Sequence, residues 1–354
     1  MPLKPIRVGL IGYGFSGKTF HAPLITAVPG LVLSAVASSD PTKVHADMPG
    51  MAVYADPLAL ATADGIDLVV IATPNASHAH LARSALSAGK HVVVDKPFTL
   101  NLADARDLIA LSESQALTLS VFHNRRWDSD FMSIRRAISD GLIGTVSHLE
   151  SHFDRFRPNV RDRWRENGGP GSGVWFDLGP HLIDQVLQLL GLPDRVQANL
   201  AHQRTGALAD DWAHVVLDYG ERRAVLHAGM LAAGGTSRFI VHGDAGSLVK
   251  KHADRQEQQL LSGMRPGAAG WGDDADALLI YDRNGQERAI PATNGDQRQF
   301  YVGIVDVLNG SVSNTVTPIQ ALAVVAVVEA AVDSARMRAS VELPLSLKER
   351  GSWR

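Results

Sequence analysis

The chain has 354 residues, 45% of them hydrophobic, enough for two domains and more than one core. It contains no cysteine, which excludes disulfides, a thiolate nucleophile and a cysteine-ligated zinc site. A formal net charge of −3 gives no general attraction to nucleic acid or anionic lipid, so neither is expected as a partner.

The opening MPLKPIRVGLI reads as a short basic lead into a buried strand rather than a signal peptide. It has no small-residue cleavage site, and Gly12 cuts its apolar run short. From residue 6 to about 122, the apolar runs IRVGLI, LVLSAVA, DLVVIAT, KHVVVD and LTLSVF alternate with helical patterns, two of them at 79–88 and 103–112. Nearly continuous Val/Ile/Leu strands separated by amphipathic helices predict a parallel sheet covered on both faces, hence a nucleotide-binding α/β domain over 1–122. After His123 the rhythm changes. TVSHLESHF, AHVVLDYG, RAVLHAG and SRFIVHG predict a large open, mostly antiparallel sheet in an α+β domain over 123–354. Turns are expected at Tyr219-Gly220 and Asp244-Ala245-Gly246, and Gly-rich mobile loops at 166–173 and 262–273. A long Ala/Val-rich helix is predicted over 318–339, and its apolar stretch 321–332 is too short to span a bilayer and contains Glu329. These features predict a cytoplasmic protein without a membrane partner. A sheet of this size with one open face predicts an oligomer.

The segment GLIGYGFSGKTFHAP fits two phosphate loops. Gly12-x-Gly14-x-x-Gly17 is a dinucleotide fingerprint, whereas Gly12-x-x-x-x-Gly17-Lys18-Thr19 is a triphosphate loop, for which Asp95 would hold magnesium. Strand, helix and second strand follow in dinucleotide register, so Gly12, Tyr13, Gly14, Phe15, Ser16 and Gly17 are expected to bind cofactor. Ser38 and Ser39 stand where NAD enzymes place an acidic residue on the ribose. Two hydroxyls and Lys43 suit a 2′-phosphate, which predicts NADP, with NAD possible. Asp40, just before Pro41, reads better as a helix N-cap.

Hydride transfer from a secondary alcohol requires a base for the hydroxyl proton and a group that stabilises the developing alkoxide. Lys96 follows the strand KHVVVD, at the sheet edge where ligands bind. In FDLGPHLIDQVLQLLG, Asp177, His181 and Asp184 share a helix face. Pro180 suits a first-turn position, which would put His181 at the positive end of the dipole and keep its imidazole neutral. Asp177 is expected to orient His181, and Asp184 to lie on the surface. A buried structural His–Asp pair is the competing reading; a metal site is not expected, for want of a third ligand at suitable spacing.

Together these segments resemble the glucose–fructose oxidoreductase / inositol dehydrogenase / rhizopine-catabolism (Gfo/Idh/MocA) family over nearly the whole chain. The resemblance is carried by GLIGYGFSGKTFHAPLI, ATPNASHAHLA, AGKHVVVDKPFTL, SVFHNRRWDSDF, GSGVWFDLGPHLIDQ and RFIVHGDAGSLVK. The FHAPL and HNRRWDSDF elements look most like the branch that contains NADP-dependent scyllo-inositol dehydrogenases and several uncharacterised sugar oxidoreductases. The family implies a Rossmann domain and an open-sheet domain that forms dimers or tetramers. It implies Lys96, Asp177 and His181 as catalytic residues, and Thr73, Pro74, Asn75 and His78 along the cofactor, with Asn75 and Lys96 near the nicotinamide ribose. Asp95 replaces the usual Glu before Lys-Pro, and Phe176 a frequent Tyr.

Arg125, Arg126, Arg155, Arg157, Arg161, Arg163 and Arg165, with Trp127 and Trp164, crowd the segments flanking the expected cleft. Arg125, Trp127, Arg155 and Trp164, with Asp177 and His181, are the candidate substrate-binding residues for a polyol or sugar. Arginines equally suit an acidic or phosphorylated sugar. About two-thirds of them are expected to sit in ion pairs with nearby carboxylates. A cofactor-binding regulatory protein without turnover remains a competing reading.

Overall fold

The computed structural model describes residues 4–353. The chain forms two compact units. One contains the chain up to Asn124 together with Gln256–Trp271 and Asp296–Leu322; the other contains Arg125–Arg255, Gly272–Gly295 and the chain from Ala323 onward. Two later stretches therefore return to the first unit, which a division into contiguous halves does not include.

In the first unit, β1 (Ile6–Ile11), β2 (Leu31–Ala37), β3 (Ala52–Tyr54), β4 (Leu68–Ile71), β5 (His91–Val94) and β6 (Leu119–Val121) form one sheet in the order β3-β2-β1-β4-β5-β6. Every pairing in it is parallel. This is the doubly wound dinucleotide order, with its reversal between β1 and β4. Val8, Leu10 and Ile11 of β1 and all of β4 are fully enclosed, which is why these segments read as unbroken apolar runs. Asp40 caps the helix Pro41–Asp47 by accepting from the Lys43 amide at 3.1 Å, as the Asp-Pro pair predicts. Asp56 and Asn101 cap the helices Pro57–Ala61 and Leu102–Ser114 in the same way.

The second unit is built on β7 (Val146–Asp154), β8 (Arg195–Ala201), β9 (Trp212–Tyr219), β10 (Arg222–Gly229), β11 (Phe239–Gly243), β12 (Gly246–Lys250), β13 (Leu278–Tyr281), β14 (Glu287–Ile290) and β15 (Val341–Glu342). Their order is β14-β13-β12-β11-β7-β10-β9-β8-β15, antiparallel except where β10 pairs with β7. Alternate residues of β7, β9 and β10 are buried, and the helix Val174–Leu190 packs against these three strands. The turns predicted at 220 and 244–246 join β9 to β10 and β11 to β12.

The Ala/Val-rich helix runs Pro318–Met337, 20 residues, which corrects the reading that its apolar stretch is too short for a membrane span. By length and composition it qualifies, yet 67% of its apolar window is buried inside the protein, and Ala321, Ala323, Ala326 and Val327 are fully enclosed. It is a core helix.

Candidate functional site

In the first unit, the loop after β1 holds its three glycines for different reasons. Gly12 has φ +99°, and a Cβ there would lie 2.6 Å from the Ala72 carbonyl oxygen. A Cβ on Gly17 would collide with the Gly12 carbonyl oxygen, so the loop's own packing requires both. Gly14 has nothing within 4 Å of its Cβ position. No internal contact asks for glycine there, and open backbone is what a pyrophosphate needs in order to approach. The loop sits at the β1/β4 reversal and runs into the π-helical turn Gly17–His21 and the helix Ala22–Thr26. These residues fit a dinucleotide.

The groups a triphosphate reading requires are engaged elsewhere. Lys18 pairs with Asp47 at 2.6 Å, and the Tyr13 hydroxyl bonds the same carboxylate at 3.1 Å. Asp95 accepts from the Ser16 hydroxyl at 2.5 Å and from the Lys96 amide at 2.7 Å. His21 Nε2 lies 3.6 Å from Asp95, and its Nδ1 is 2.6 Å from the Tyr301 hydroxyl, with the His21 side chain fully buried. Burial opposes the charge on Asp95, but His21, Lys96 and Ser16 outweigh it and hold the carboxyl well below the usual range. Burial likewise pushes the Tyr301 phenol well up.

Asp95 thus links the phosphate loop to Lys96, which is half-buried beyond the end of β5. His78 secures the next residue. It is 1% exposed, with Nδ1 2.8 Å from the Pro97 carbonyl oxygen and Nε2 2.9 Å from that of Thr73. Burial, partly opposed by Asp95, pushes its pKa down. Thr73 accepts from Ser77, and the buried Asn75 follows Pro74 into a short turn, Asn75–Ser77. At the end of β2, the Ser38 hydroxyl bonds main-chain groups of Asp40, whose carboxylate is committed to its cap; Ser39 is exposed. Tyr13 is buried, whereas Phe15 is 54% exposed.

In the second unit, the helix Val174–Leu190 starts six residues before Pro180. This corrects the placement of Pro180 in a first turn. His181 lies about two turns inside the helix, beyond the reach of the helix-end charge. The Gly before Pro180 is required by the core, since a Cβ on Gly179 would lie 2.8 Å from the Trp175 ring. His181 is 6% exposed and edge-on to Phe153, with ring centroids 6.4 Å apart. Asp177 occupies the first turn, and Arg165 Nε lies 3.3 Å from its carboxylate. Asp184 is 2% exposed and takes a two-point contact from Arg126 at 2.6 and 2.9 Å, which corrects its expected surface position.

Arg125 is ion-paired with Asp128, Arg126 with Asp184, Arg161 and Arg163 with Glu166, and Arg165 with Asp177. Arg125 also lies 5.1 Å over the Phe153 ring, so it and His181 share one aromatic neighbour. Arg165 stacks 4.4 Å over Trp164, which connects that tryptophan to Asp177. Trp127 and Arg155 are half-buried.

Arg163, Arg165, Glu166, Asp177, Arg204 and Asp210 line one cleft of this unit. Arg204 bridges Glu166 at 3.0 Å and Asp211 at 2.9 Å. The sequence reading missed Arg204 and Asp210. Neither belongs to a local motif; Asp210 reaches the helix start, and Arg204 reaches Glu166, because the β8–β9 connection folds over the start of the helix.

The chain matches two family models: residues 6–123 the "Oxidoreductase family, NAD-binding Rossmann fold", and residues 135–343 the "Oxidoreductase family, C-terminal alpha/beta domain". It is 50% identical over 339 residues to the Escherichia coli uncharacterized oxidoreductase YdgJ, covering 95% of this chain and 98% of that one. It is 33% identical over 343 residues to the Bacillus subtilis scyllo-inositol 2-dehydrogenase (NADP(+)) IolW, covering 96% of each. The crystal structure of a "putative oxidoreductase" from Klebsiella pneumoniae superposes with a TM-score of 0.93 at 59% identity, covering 98% of each chain. With an NAD(P)-binding Rossmann domain followed by a nine-stranded α/β domain, the chain belongs to the Gfo/Idh/MocA oxidoreductase family.

Proposed function

We propose that the protein is a cytoplasmic, NADP-preferring oxidoreductase that interconverts a ring secondary alcohol of an inositol or sugar with its ketone, working as a homodimer or homotetramer. The bound dinucleotide supplies the hydride acceptor or, in reverse, the donor. Gly12, Tyr13, Gly14, Phe15, Ser16 and Gly17 would hold its phosphates, Ser38 and Ser39 its ribose phosphate, and Thr73, Pro74, Asn75 and His78 the remainder. Lys96 steadies the substrate oxygen, His181 takes or returns the hydroxyl proton, and Asp177 orients His181. Arg125, Trp127, Arg155 and Trp164 contact the ring and its hydroxyls. The observation that carries this reading is that Asp177 and His181 lie on one helix face, with Asp177 in a cleft whose arginines are matched by carboxylates. Arg163, Arg165 and Arg204 are balanced there by Glu166, Asp177, Asp210 and Asp211, a setting that suits neutral hydroxyls better than a sugar acid or phosphate. The similarity to a protein named as an NADP(+)-dependent scyllo-inositol dehydrogenase points the same way.

The test is an assay of the purified protein against inososes, ketoses, polyols and sugar phosphates, with NADPH and NADH compared, and with sedimentation velocity on the same sample. Turnover on a neutral ring ketone with NADPH preferred is expected. Turnover confined to phosphorylated or acidic sugars ends the neutral-substrate reading, and NADPH binding without turnover on any of them favours a cofactor-binding regulator. A monomer at micromolar concentration ends the oligomer proposal.

A further inference from the structure

A helix leaves its first N–H groups without partners, and the residue before the first turn ordinarily supplies an oxygen for them. Before Val174–Leu190 that residue is Gly173, which has no side chain. The oxygens come instead from a residue far along the chain. The main-chain carbonyl of Asp210 accepts from the Val174 amide at 2.7 Å, and its side-chain Oδ2 accepts from the Trp175 amide at 2.8 Å. Gly173, at φ +94°, lies so close that any Cβ on it would collide with the Asp210 carboxylate. The two segments are fitted to each other.

Asp210 is itself held in place. The Asp211 carboxylate, one residue on, accepts from the Gln203 amide at 2.7 Å, the Arg204 amide at 3.0 Å and Arg204 Nε at 2.9 Å. Arg204 continues to Glu166 and to the carbonyl oxygens of Arg157 and Asn159. The other side of the helix start is fixed by Arg165, whose carbonyl accepts from the Gly173 amide at 2.8 Å and whose guanidinium reaches Asp177. Asp177 is therefore located by two elements, both of which grip the chain at Gly173–Trp175.

We propose that Asp210 is a positioning residue for the catalytic helix: it caps that helix from the β8–β9 connection and thereby fixes where Asp177 and His181 are presented. The proposal rests on the oxidoreductase reading for its catalytic consequence, though the capping stands by itself. It also carries a pH dependence. The Asp210 carboxyl is pushed up to about 6, chiefly by burial and also by Asp211, against the Trp175 amide, its own amide and His202. The other charged groups lining its cleft are Arg163, Arg165, Glu166, Asp177 and Arg204. A folded-state pKa above the ordinary carboxylate value gives a stabilisation that is complete below about pH 4 and lost as pH rises through about 6. An asparagine, neutral throughout, keeps what the aspartate loses.

The experiment compares Asp210→Ala and Asp210→Asn in the full chain by amide hydrogen exchange, thermal melting from pH 4 to 8, and steady-state kinetics. In Asp210→Ala, exchange at residues 174–177 is expected to rise at least ~10-fold while the NADPH thermal shift persists, and kcat with the best ring ketone to fall by ~10-fold or more. Asp210→Asn, which retains an acceptor oxygen, restores protection and turnover, and its melting temperature rises above wild type between pH 4 and 7. Unchanged exchange at 174–177 in the alanine variant, or protection lost equally across the whole unit, overturns the capping. Faster exchange at 174–177 with unchanged kcat overturns the catalytic consequence. Absence of turnover in the wild type overturns the oxidoreductase reading instead, because the exchange measurement needs no substrate.

Discussion

Lys96→Ala and His181→Ala should each lower turnover at least ~100-fold, with the NADPH thermal shift intact. The two side chains are held differently. Lys96 is placed by main-chain anchorage, since Asp95 holds its amide and His78 meets the carbonyl of the next residue; truncating the lysine side chain keeps that anchorage and removes a charge that also helps hold Asp95 ionised. His181 is nearly enclosed beside Phe153, so alanine leaves a small cavity as well as removing the proposed proton carrier; His181→Gln, closer in volume, separates the two effects. Near-normal kcat in either alanine variant ends the role assigned to that residue. Sequence alone named both residues and Asp177, but it misjudged the setting of His181. The Gly-Pro pair reads as a helix start, whereas the true start is a bare glycine whose capping oxygens come from residue 210, and no local pattern announces that.

At the scale of elements, the glycines of the β1 loop separate packing from binding. Gly12→Ala and Gly17→Ala place a methyl group against main-chain carbonyls and should each cost on the order of 2 kcal/mol in urea unfolding. Gly14→Val, whose Cβ meets no protein atom, should leave the urea midpoint almost unchanged while abolishing the NADPH thermal shift. A Gly14→Val protein that still binds NADPH normally would remove the loop from the cofactor site. The long enclosed strands β1, β2, β4 and β5 and the alternating β7, β9 and β10 were legible because burial imposes a pattern on them. The strands β3, β8, β12, β13, β14 and β15 were not. Neither β3 nor β14 has a buried residue, and β15 is two residues long, so burial imposes no pattern on these three. β8 alternates apolar with polar residues, but only Val196 and Ala198 of it are buried, and pairing with β9 defines the strand.

For the whole molecule, the informative feature is the chain's return to its first unit. Sequence rhythm places a change near residue 123, and the family model for the Rossmann fold stops there as well. The physical unit does not stop there. Phe122, 2% exposed, packs edge-on to Phe300 at 5.0 Å and against Tyr301 at 5.8 Å, and Ser120 and Leu119 bond to Val316 and Asn314. The buried His21 next to Asp95 is likewise hydrogen-bonded by the Tyr301 hydroxyl. A gene fragment ending at residue 123 would therefore leave a ring-lined scar and an orphaned imidazole, and should come out of cells insoluble. Supplying residues 256–271 and 296–322 through short designed linkers should rescue it, and a soluble, cofactor-binding 1–123 product would show the late segments to be dispensable. Anyone wishing to graft this nucleotide module onto another protein must carry over both distant pieces of chain as well.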